Sequence, residues 1–335
     1  MNKLKFTIYY IIIPVVFILI GWFANTAYNL PRSSNNPIAQ IKPTPLAKYT
    51  IESLSKADIK SAEIQIGKVL KDDPKFTSYE FTMKFSPDLS ENLKTTSGLI
   101  NIPKGDGKFS VVVMFRGYVD PKDYFIGNGT THAAEYFASN GFITVAPDFL
   151  GYGDSDKEAE DVFESRFQTH TTALTVLKSI SSIKQFDGKN IFIWGHSNGG
   201  QIALTTLEIT GANYPTVLWA PVSKPFPYSI LYYTDDASDG GKFLRQELSN
   251  FENDYDADSY SLVKFLDKIK APIQLNQGTF DSAVPAAWSN QLSKDLLELK
   301  VDLNYIKYPG ADHNMFPSWN QAIANALDFY KKHIQ

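Results

Sequence analysis

The stretch Gly195-His196-Ser197-Asn198-Gly199-Gly200 decides the fold of this chain. An apolar run at residues 190–194 comes directly before it, and a helix-like run at 201–208 comes directly after it. A strand, a sharp turn and a helix with a serine at the apex form the nucleophile elbow of the Gly-X-Ser-X-Gly motif. The turn strains its central residue, so the small residues Gly195 and Gly199 are needed beside it. We therefore predict that Ser197 is a nucleophile.

A serine nucleophile needs a base, and the base needs an acid that orients it. On an elbow of this kind, the acid and then the base follow the serine along the chain. Of the histidines, only His313 and His333 follow Ser197. His313 lies in a loop rich in Gly, Asp and Asn after a strand-like run, whereas His333 lies in the last turn of a terminal helix. A solvated helix end accounts for His333, and we predict His313 as the base.

Asp281 is the predicted acid. An apolar run that begins at Pro272 ends at Gly278, and the turn that follows presents Asp281. The acidic residues between positions 235 and 258 lie in polar loops with no preceding strand, which is typical of solvated charge. Asp312 is adjacent to His313 in sequence, but neighbouring side chains on an extended loop point apart.

Two backbone N–H groups are expected to stabilise the oxyanion. One is the amide of Asn198, which follows the nucleophile, and the other comes from the loop after an earlier central strand. The continuous apolar run 110–115 is typical of a strand buried on both faces, and Arg116-Gly117-Tyr118 follows it. We predict the amide of Tyr118 as the second donor. We expect no cofactor and no metal ligand in this site.

Four segments together resemble the α/β-hydrolase superfamily, and most closely the catalytic domain of prolyl-oligopeptidase-like serine peptidases. The resemblance covers the chain from about Thr77 to the end. It implies a Ser–Asp–His hydrolase that forms an acyl-enzyme and acts on short peptides. The four segments are Asn140 to Ser155, the elbow, Gln277 to Pro285 and Gly310 to His313.

Two departures from that family keep a carboxylesterase open as the alternative. Phe115 stands where such peptidases often have a tyrosine whose hydroxyl serves the oxyanion site. Too few residues precede Ser110 for the propeller domain that many of them carry. A third hypothesis is a non-enzymatic binding protein on a hydrolase scaffold, which the intact set of catalytic residue types disfavours.

The amino-acid composition restricts the functional classes to which this chain can belong. The 335 residues are 43% hydrophobic, which suits a large buried core. A net charge of −4 gives no argument for a nucleic-acid partner. The chain contains no cysteine, which excludes disulfides and thiol catalysis. The expected partners are therefore a small peptide or ester substrate and, through the N-terminus, a membrane.

The N-terminus predicts a membrane anchor. The run from Phe6 to Ala24 carries no charge and follows Lys3 and Lys5. A signal-peptide core spans roughly 7–15 apolar residues and a membrane-spanning helix about 20, so the length favours the anchor over a cleaved signal peptide. We expect a single-pass membrane protein with its catalytic domain outside the cytoplasm.

From Ser110 onward, strand-like runs alternate with helix-like runs. This alternation predicts the α/β-hydrolase fold, with a mostly parallel central sheet that has helices on both faces. Runs at 62–70, 76–85 and 98–103 predict an antiparallel start to the sheet.

The chain divides into three predicted parts. They are a membrane anchor or signal peptide at 1–28, a Pro-rich tether and linker at 29–60, and the catalytic domain at 61–335. A small cap insertion at about 223–258 precedes a helix predicted near 259–270. Four aromatic residues open this insertion and either line a substrate pocket or pack the cap onto the body. They are Phe226, Tyr228, Tyr232 and Tyr233.

Overall fold

The structure of the protein is a computed structural model, which describes residues 42–235 and 237–335. The predicted membrane anchor at 1–28 and the first part of the predicted tether lie outside the described residues. Among the helices that are described, none combines the length and the apolar character needed to cross a bilayer.

One sheet runs through the described part of the chain, in the order β1-β2-β3-β5-β4-β6-β7-β8-β9. The pairings β1–β2, β2–β3 and β3–β5 are antiparallel. The remaining pairings, from β5–β4 to β8–β9 in the sheet order, are all parallel. Both the antiparallel start and the mostly parallel sheet were predicted and are confirmed. The strands are β1 (Gln65–Asp72), β2 (Phe76–Phe85), β3 (Lys94–Pro103), β4 (Phe109–Phe115), β5 (Ile143–Pro147), β6 (Phe186–His196), β7 (Thr216–Trp219), β8 (Ile273–Gly278) and β9 (Leu303–Tyr308).

Helices cover both faces of this sheet, as the alternating pattern predicted. On one face, α2 and α8 pack in a single apolar cluster. On the other face, α3, α4 and α7 share the larger cluster. The helices are α1 (Ile51–Lys56), α2 (Thr131–Ser139), α3 (Val162–Ser179), α4 (Asn198–Thr210), α5 (Tyr228–Leu231), α6 (Lys242–Glu252), α7 (Ala286–Glu298) and α8 (Trp319–Lys332).

Strand β4 shows why a continuous apolar run predicts a central strand of the sheet. Val111 and Val113 point into the cluster on one face, whereas Val112 and Met114 point into the cluster on the other. All four side chains are fully buried. Complete burial of such a side chain contributes about 1.5–3 kcal/mol, so a strand apolar on both faces is stable only between two helical layers.

The domain begins earlier than the sequence predicted. We placed residues 29–60 in a tether and linker, but the compact unit starts at Thr44. The Tyr49 hydroxyl donates to Glu164 of α3 at 2.8 Å, and the Leu46 carbonyl accepts from Tyr260 at 3.0 Å. The prolines of this region favoured the prediction of a linker, but five of its apolar side chains are buried in one cluster with α3 and the insertion. They are Leu46, Tyr49, Ile51, Leu54 and Ile59.

The prediction of a helix near 259–270 is also wrong. The chain there forms three short 3₁₀ turns, at Ala257–Tyr260, Leu262–Lys264 and Leu266–Lys268. Ser261 lies between the first two turns and is fully buried. Its hydroxyl accepts the backbone N–H of Phe226 at 3.2 Å. A side chain that serves a distant backbone donor in this way competes with the local helical hydrogen bonds.

Glu208 is a buried carboxyl in the middle of α4. Its side chain is 1% exposed, and neither carboxyl oxygen has a hydrogen-bond partner in the described part of the chain. Burial therefore raises the pKa of Glu208 well above its usual value. The neutral form of this carboxyl is therefore favoured in the folded protein.

We expect Glu208→Gln to stabilise the protein more at pH 8 than at pH 5. An unfolded glutamate ionises above about pH 4.3. Because its pKa is raised in the folded state, folding takes up a proton, and stability falls as the pH rises from the unfolded pKa towards the folded one. The glutamine has no proton to take up. Urea unfolding of the variant and the wild type at both pH values measures the difference.

Glu252→Gln, at an exposed glutamate, is the control and should leave the midpoint unchanged at both pH values. An equal change for Glu208→Gln at pH 5 and pH 8 would contradict a buried neutral carboxyl.

Candidate active site

The turn between β6 and α4 has the geometry expected of an elbow. Strand β6 ends at His196, helix α4 begins at Asn198, and Ser197 stands between them with φ 56° and ψ −120°. A positive φ combined with this ψ is rare for a residue with a side chain. Backbone hydrogen bonds hold it, since the Ser197 N–H donates to Trp219 at 2.9 Å and its carbonyl accepts from Val222 at 3.0 Å.

The two elbow glycines stand where no side chain fits. A Cβ on Gly199 would lie 1.9 Å from the carbonyl oxygen of Phe115, at the end of β4. A Cβ on Gly195 would lie 2.6 Å from the carbonyl oxygen of Gly199. Both distances are far inside van der Waals contact. The glycines therefore let α4 rise directly from the sheet and press the elbow against β4.

Asp281 and His313 are paired. Oδ2 of Asp281 lies 2.9 Å from Nδ1 of His313 and also accepts from Nε2 of Gln277 at 2.9 Å. Oδ1 accepts the backbone N–H groups of Ala283 and Val284, at 2.9 and 2.8 Å. Burial of the side chain opposes ionisation, but these hydrogen bonds outweigh it and hold the pKa of Asp281 below its usual value.

An ionised Asp281 determines the tautomer of His313. A carboxylate only accepts hydrogen bonds, so Nδ1 of His313 must carry the proton. Nε2 of the neutral ring is then left as an acceptor. The His313 side chain remains 20% exposed and lines a cavity of about 960 Å³ together with Ser197. The three residues predicted as acid, base and nucleophile are thus brought to one place.

The loop after β4 also reaches Ser197. A Cβ on Gly117 would lie 3.0 Å from Cβ of Ser197 and 3.6 Å from its Oγ. Gly117, Tyr118 and Asn198 line the same cavity as Ser197. The side chain of Tyr118 is 75% exposed. The assignment of the Tyr118 and Asn198 amides as oxyanion donors stays a prediction.

Arg116 is a structural residue beneath that loop. Its side chain is buried, and Nη1 donates to the carbonyl of Gly117 at 2.9 Å. Nη2 donates to the carbonyl of Asp148 at 3.0 Å. The guanidinium carbon lies 3.9 Å from the ring centroid of Tyr152 and 4.8 Å from that of Tyr124. Arg116 therefore fixes the backbone of the loop beside Ser197.

His196 is a site residue that the sequence analysis did not assign. Its Nε2 lies 3.0 Å from the carbonyl oxygen of His313, to which it donates, and the two rings are 4.6 Å apart. Burial, together with the nearby His313 ring, lowers the pKa of His196 to about 4, so the ring is neutral near pH 7. It holds the loop that carries the predicted base.

The insertion between β7 and β8 supplies one wall of the cavity. Its aromatic residues divide between the two roles that we left open. Phe226 is buried and packs against Phe163 of α3. Tyr233 lines the cavity and donates to the carbonyl of Ala283 at 3.2 Å. Tyr228 and Tyr232 have their rings 6.1 and 4.8 Å from that of Trp288.

The remaining histidines lie elsewhere in the structure. His132 lies in α2, stacked on Trp319 with centroids 3.7 Å apart. His170 is buried in α3. His333 follows α8, and its Nδ1 bonds to the carbonyl of Phe329 at 2.8 Å. Neither His170 nor His333 contacts the cavity that holds Ser197.

The fold and this site correspond to a known class of enzyme. The model of the prolyl oligopeptidase family matches residues 128–335, which is more than half of the chain. The chain belongs to that family, and it is a serine hydrolase with the α/β-hydrolase fold. The family resemblance predicted from the four sequence segments is therefore confirmed.

A curated relative aligns with about two thirds of this chain. The chain is 21% identical over 241 residues to an acetyl esterase of Xylanibacter ruminicola, an alignment that covers 64% of this chain and 52% of the relative. The chain thus spans about half the length of the curated relative that it matches.

Solved structures of both esterases and peptidases share the fold. An acetyl xylan esterase from Paenibacillus sp. superposes with a TM-score of 0.64 at 18% identity and covers 83% of this chain and 91% of that one. One from Thermoanaerobacterium sp. gives 0.61 at 14% identity and covers 86% and 94%. Dipeptidyl peptidase 4 of Porphyromonas gingivalis gives 0.51 at 14% identity and covers 82% and 35%.

We expect Asp281→Asn to lower kcat/KM for p-nitrophenyl acetate by roughly 10³- to 10⁴-fold. The asparagine amide no longer requires the proton of His313 to be on Nδ1, so the ring can present the wrong nitrogen to the serine. Steady-state kinetics of the full-length chain measures this, and circular dichroism verifies that the variant is folded.

Asp312→Asn is the matched control because Asp312 is adjacent to His313 but accepts only backbone N–H groups, from Asn314 and Phe316. Its kcat/KM should stay within about fivefold of the wild type, since no acid of the pair is lost. If both variants lost activity equally, the Asp281–His313 contact would be no more than a structural one.

Proposed function

We propose that this protein is a carboxylesterase that acts on small acyl esters, with Ser197, His313 and Asp281 as its catalytic triad. The observation that carries the proposal is the pairing of His313 with the ionised Asp281, 2.9 Å apart, in the cavity that Ser197 lines. An oriented imidazole beside a serine on an elbow is the arrangement that activates a hydroxyl for attack on an acyl carbon.

In the proposed reaction, Oγ of Ser197 attacks the acyl carbon while its proton passes to Nε2 of His313. The imidazolium is stabilised by Asp281, which stays ionised throughout. The tetrahedral intermediate collapses as His313 gives the proton to the leaving alcohol, and an acyl-enzyme remains. Water then attacks with His313 as base, and the acid product and Ser197 are released.

The negative oxygen of the intermediate is held by the backbone N–H groups of Asn198 and Tyr118. The former stands at the N-terminus of α4, where the helix dipole also favours negative charge. One such donor is worth about 2.7–4 kcal/mol of transition-state stabilisation. Arg116 contributes by holding the Gly117 carbonyl, which fixes the direction of the Tyr118 amide.

Two observations favour esters over the short peptides that the family resemblance first suggested. Phe115 is fully buried and offers no hydroxyl to the oxyanion, so this position adds no donor to the two backbone N–H groups. An ester has a better leaving group than an amide and demands less from such a site. The second observation is the acetyl esterase among the relatives of this chain. The insertion at 223–258 acts as a cap that walls the acyl-binding cavity.

The deciding experiment compares p-nitrophenyl acetate and butyrate with a panel of short peptide p-nitroanilides. We expect turnover of the esters, little or none of the peptides, and loss of ester turnover in Ser197→Ala. A fluorophosphonate probe should label the wild type and not the variant.

Peptide turnover that exceeds ester turnover and vanishes in Ser197→Ala would return the protein to the peptidases of its family. Turnover that survives in the variant would remove Ser197 as the nucleophile. Absence of both labelling and turnover in folded protein would favour a binding protein on a hydrolase scaffold.

We further propose that the uncharged run Phe6 to Ala24 anchors the enzyme in a membrane, with the catalytic domain on the extracytoplasmic side. After expression in bacterial cells, the full chain should sediment with the membranes and resist a carbonate wash, and deletion of residues 6–24 should release it. N-terminal sequencing tests the alternative, because a cleaved signal peptide would give a mature chain that begins beyond this run.

A further inference from the structure

Arg166 is a charged residue in the wall of the cavity that holds Ser197, and the proposed reaction does not use it. It lies in the second turn of α3 and is half-buried. Nη2 donates to Oε1 of Gln201 at 2.9 Å and to Oδ1 of Asn198 at 3.5 Å. Both acceptors stand in the first turn of α4, so the guanidinium lies beside the residue that follows the nucleophile.

No carboxylate in the described part of the chain lies within ion-pair distance of Arg166. Two acidic residues line cavities that Arg166 also lines, and both are engaged elsewhere. Asp239 accepts two backbone N–H groups of the insertion, and Glu158 accepts the hydroxyl of Ser165. The other two described arginines differ, since Arg116 rests on aromatic rings and Arg245 pairs with Asp235.

The charge of Arg166 is retained although it is poorly solvated. Burial lowers the pKa of Arg166 to about 10, which leaves the guanidinium charged at neutral pH. A partly buried cation whose acceptors are all neutral lacks the stabilisation that a carboxylate partner gives. Both hydrogen bonds come from Nη2, and Nη1 and Nε have no acceptor within the described residues. Nη1 and Nε therefore keep N–H donors that can bind a carboxylate.

We propose that Arg166 binds a carboxylate of the substrate, so that the preferred substrates are esters that carry a free carboxylate near the scissile acyl group. This rests on the proposed esterase function and adds the chemical class of its substrate. The carboxylate supplies Arg166 with the counter-charge that no described carboxylate provides. It stands on either the acyl side or the alcohol side of the ester bond, and two pairs of probes distinguish these sides.

For the acyl side, mono(p-nitrophenyl) adipate is compared with p-nitrophenyl hexanoate, which has the same chain length and no charge. For the alcohol side, 4-acetoxybenzoate is compared with its methyl ester. The measured quantity is the ratio of kcat/KM for the charged ester to kcat/KM for its neutral partner. We expect the wild type to give a ratio of at least about 10 for one pair, since a hydrogen bond between charged groups is worth about one to two decades.

Arg166→Gln should lower that ratio by about 10-fold or more, to near 1. Arg166→Lys should restore part of it, because the ammonium keeps the charge but loses the planar set of guanidinium N–H donors. Arg245→Gln is the matched control, since Arg245 is paired with Asp235 and does not line the cavity. The control removes one positive charge and should leave the ratio unchanged.

A wild-type ratio near 1 for both pairs would overturn the inference. So would an equal loss for charged and neutral esters in Arg166→Gln, which would make Arg166 only a support for Asn198 and Gln201. Binding to Ser197→Ala, measured by calorimetry with 4-acetoxybenzoate and its methyl ester, separates this inference from the proposed function. If no ester is turned over but the charged compound binds more tightly through Arg166, the esterase proposal fails and the carboxylate site stands.

Discussion

The site depends on the contact between the backbone of the elbow and the end of β4. Gly199 lies so close to the carbonyl of Phe115 that a single methyl group would not fit between them. Because β4 and β6 are neighbours in the sheet, the loop after β4 must pass beside Ser197. Arg116 then holds this loop through its bond to Gly117. The position of the proposed oxyanion site thus follows from the close approach of two backbones.

Much of this arrangement can be predicted from the sequence because its determinants are local. The elbow is recognisable from the glycines beside Ser197. The carboxyl ends of parallel strands lie at one edge of a sheet, so Asp281 and His313 could be predicted as a pair. Strand β4 was recognisable because a central parallel strand is apolar on both faces. Each of these inferences needs only a short segment and the chain order of the motifs.

Other features could not be predicted, because they depend on contacts between distant parts of the chain. The role of His196 rests on a bond to the carbonyl of His313, and no neighbouring residue signals it. Arg166 looks like an ordinary polar residue of an amphipathic helix until the fold sets it beside Asn198. Residues 44–60 looked like a linker because prolines obscure their apolar spacing, and the partners of Leu46 and Tyr49 lie far along the chain.

The shared apolar cluster of the N-terminal segment, α3 and the insertion has an evolutionary consequence. Phe167, the neighbour of Arg166 on α3, lies 6.1 Å from the ring of Tyr49 and 5.8 Å from that of Phe226. A lineage that replaces the insertion to accept a new substrate removes a packing partner of residues 44–60 at the same time. The two segments are therefore expected to diverge together.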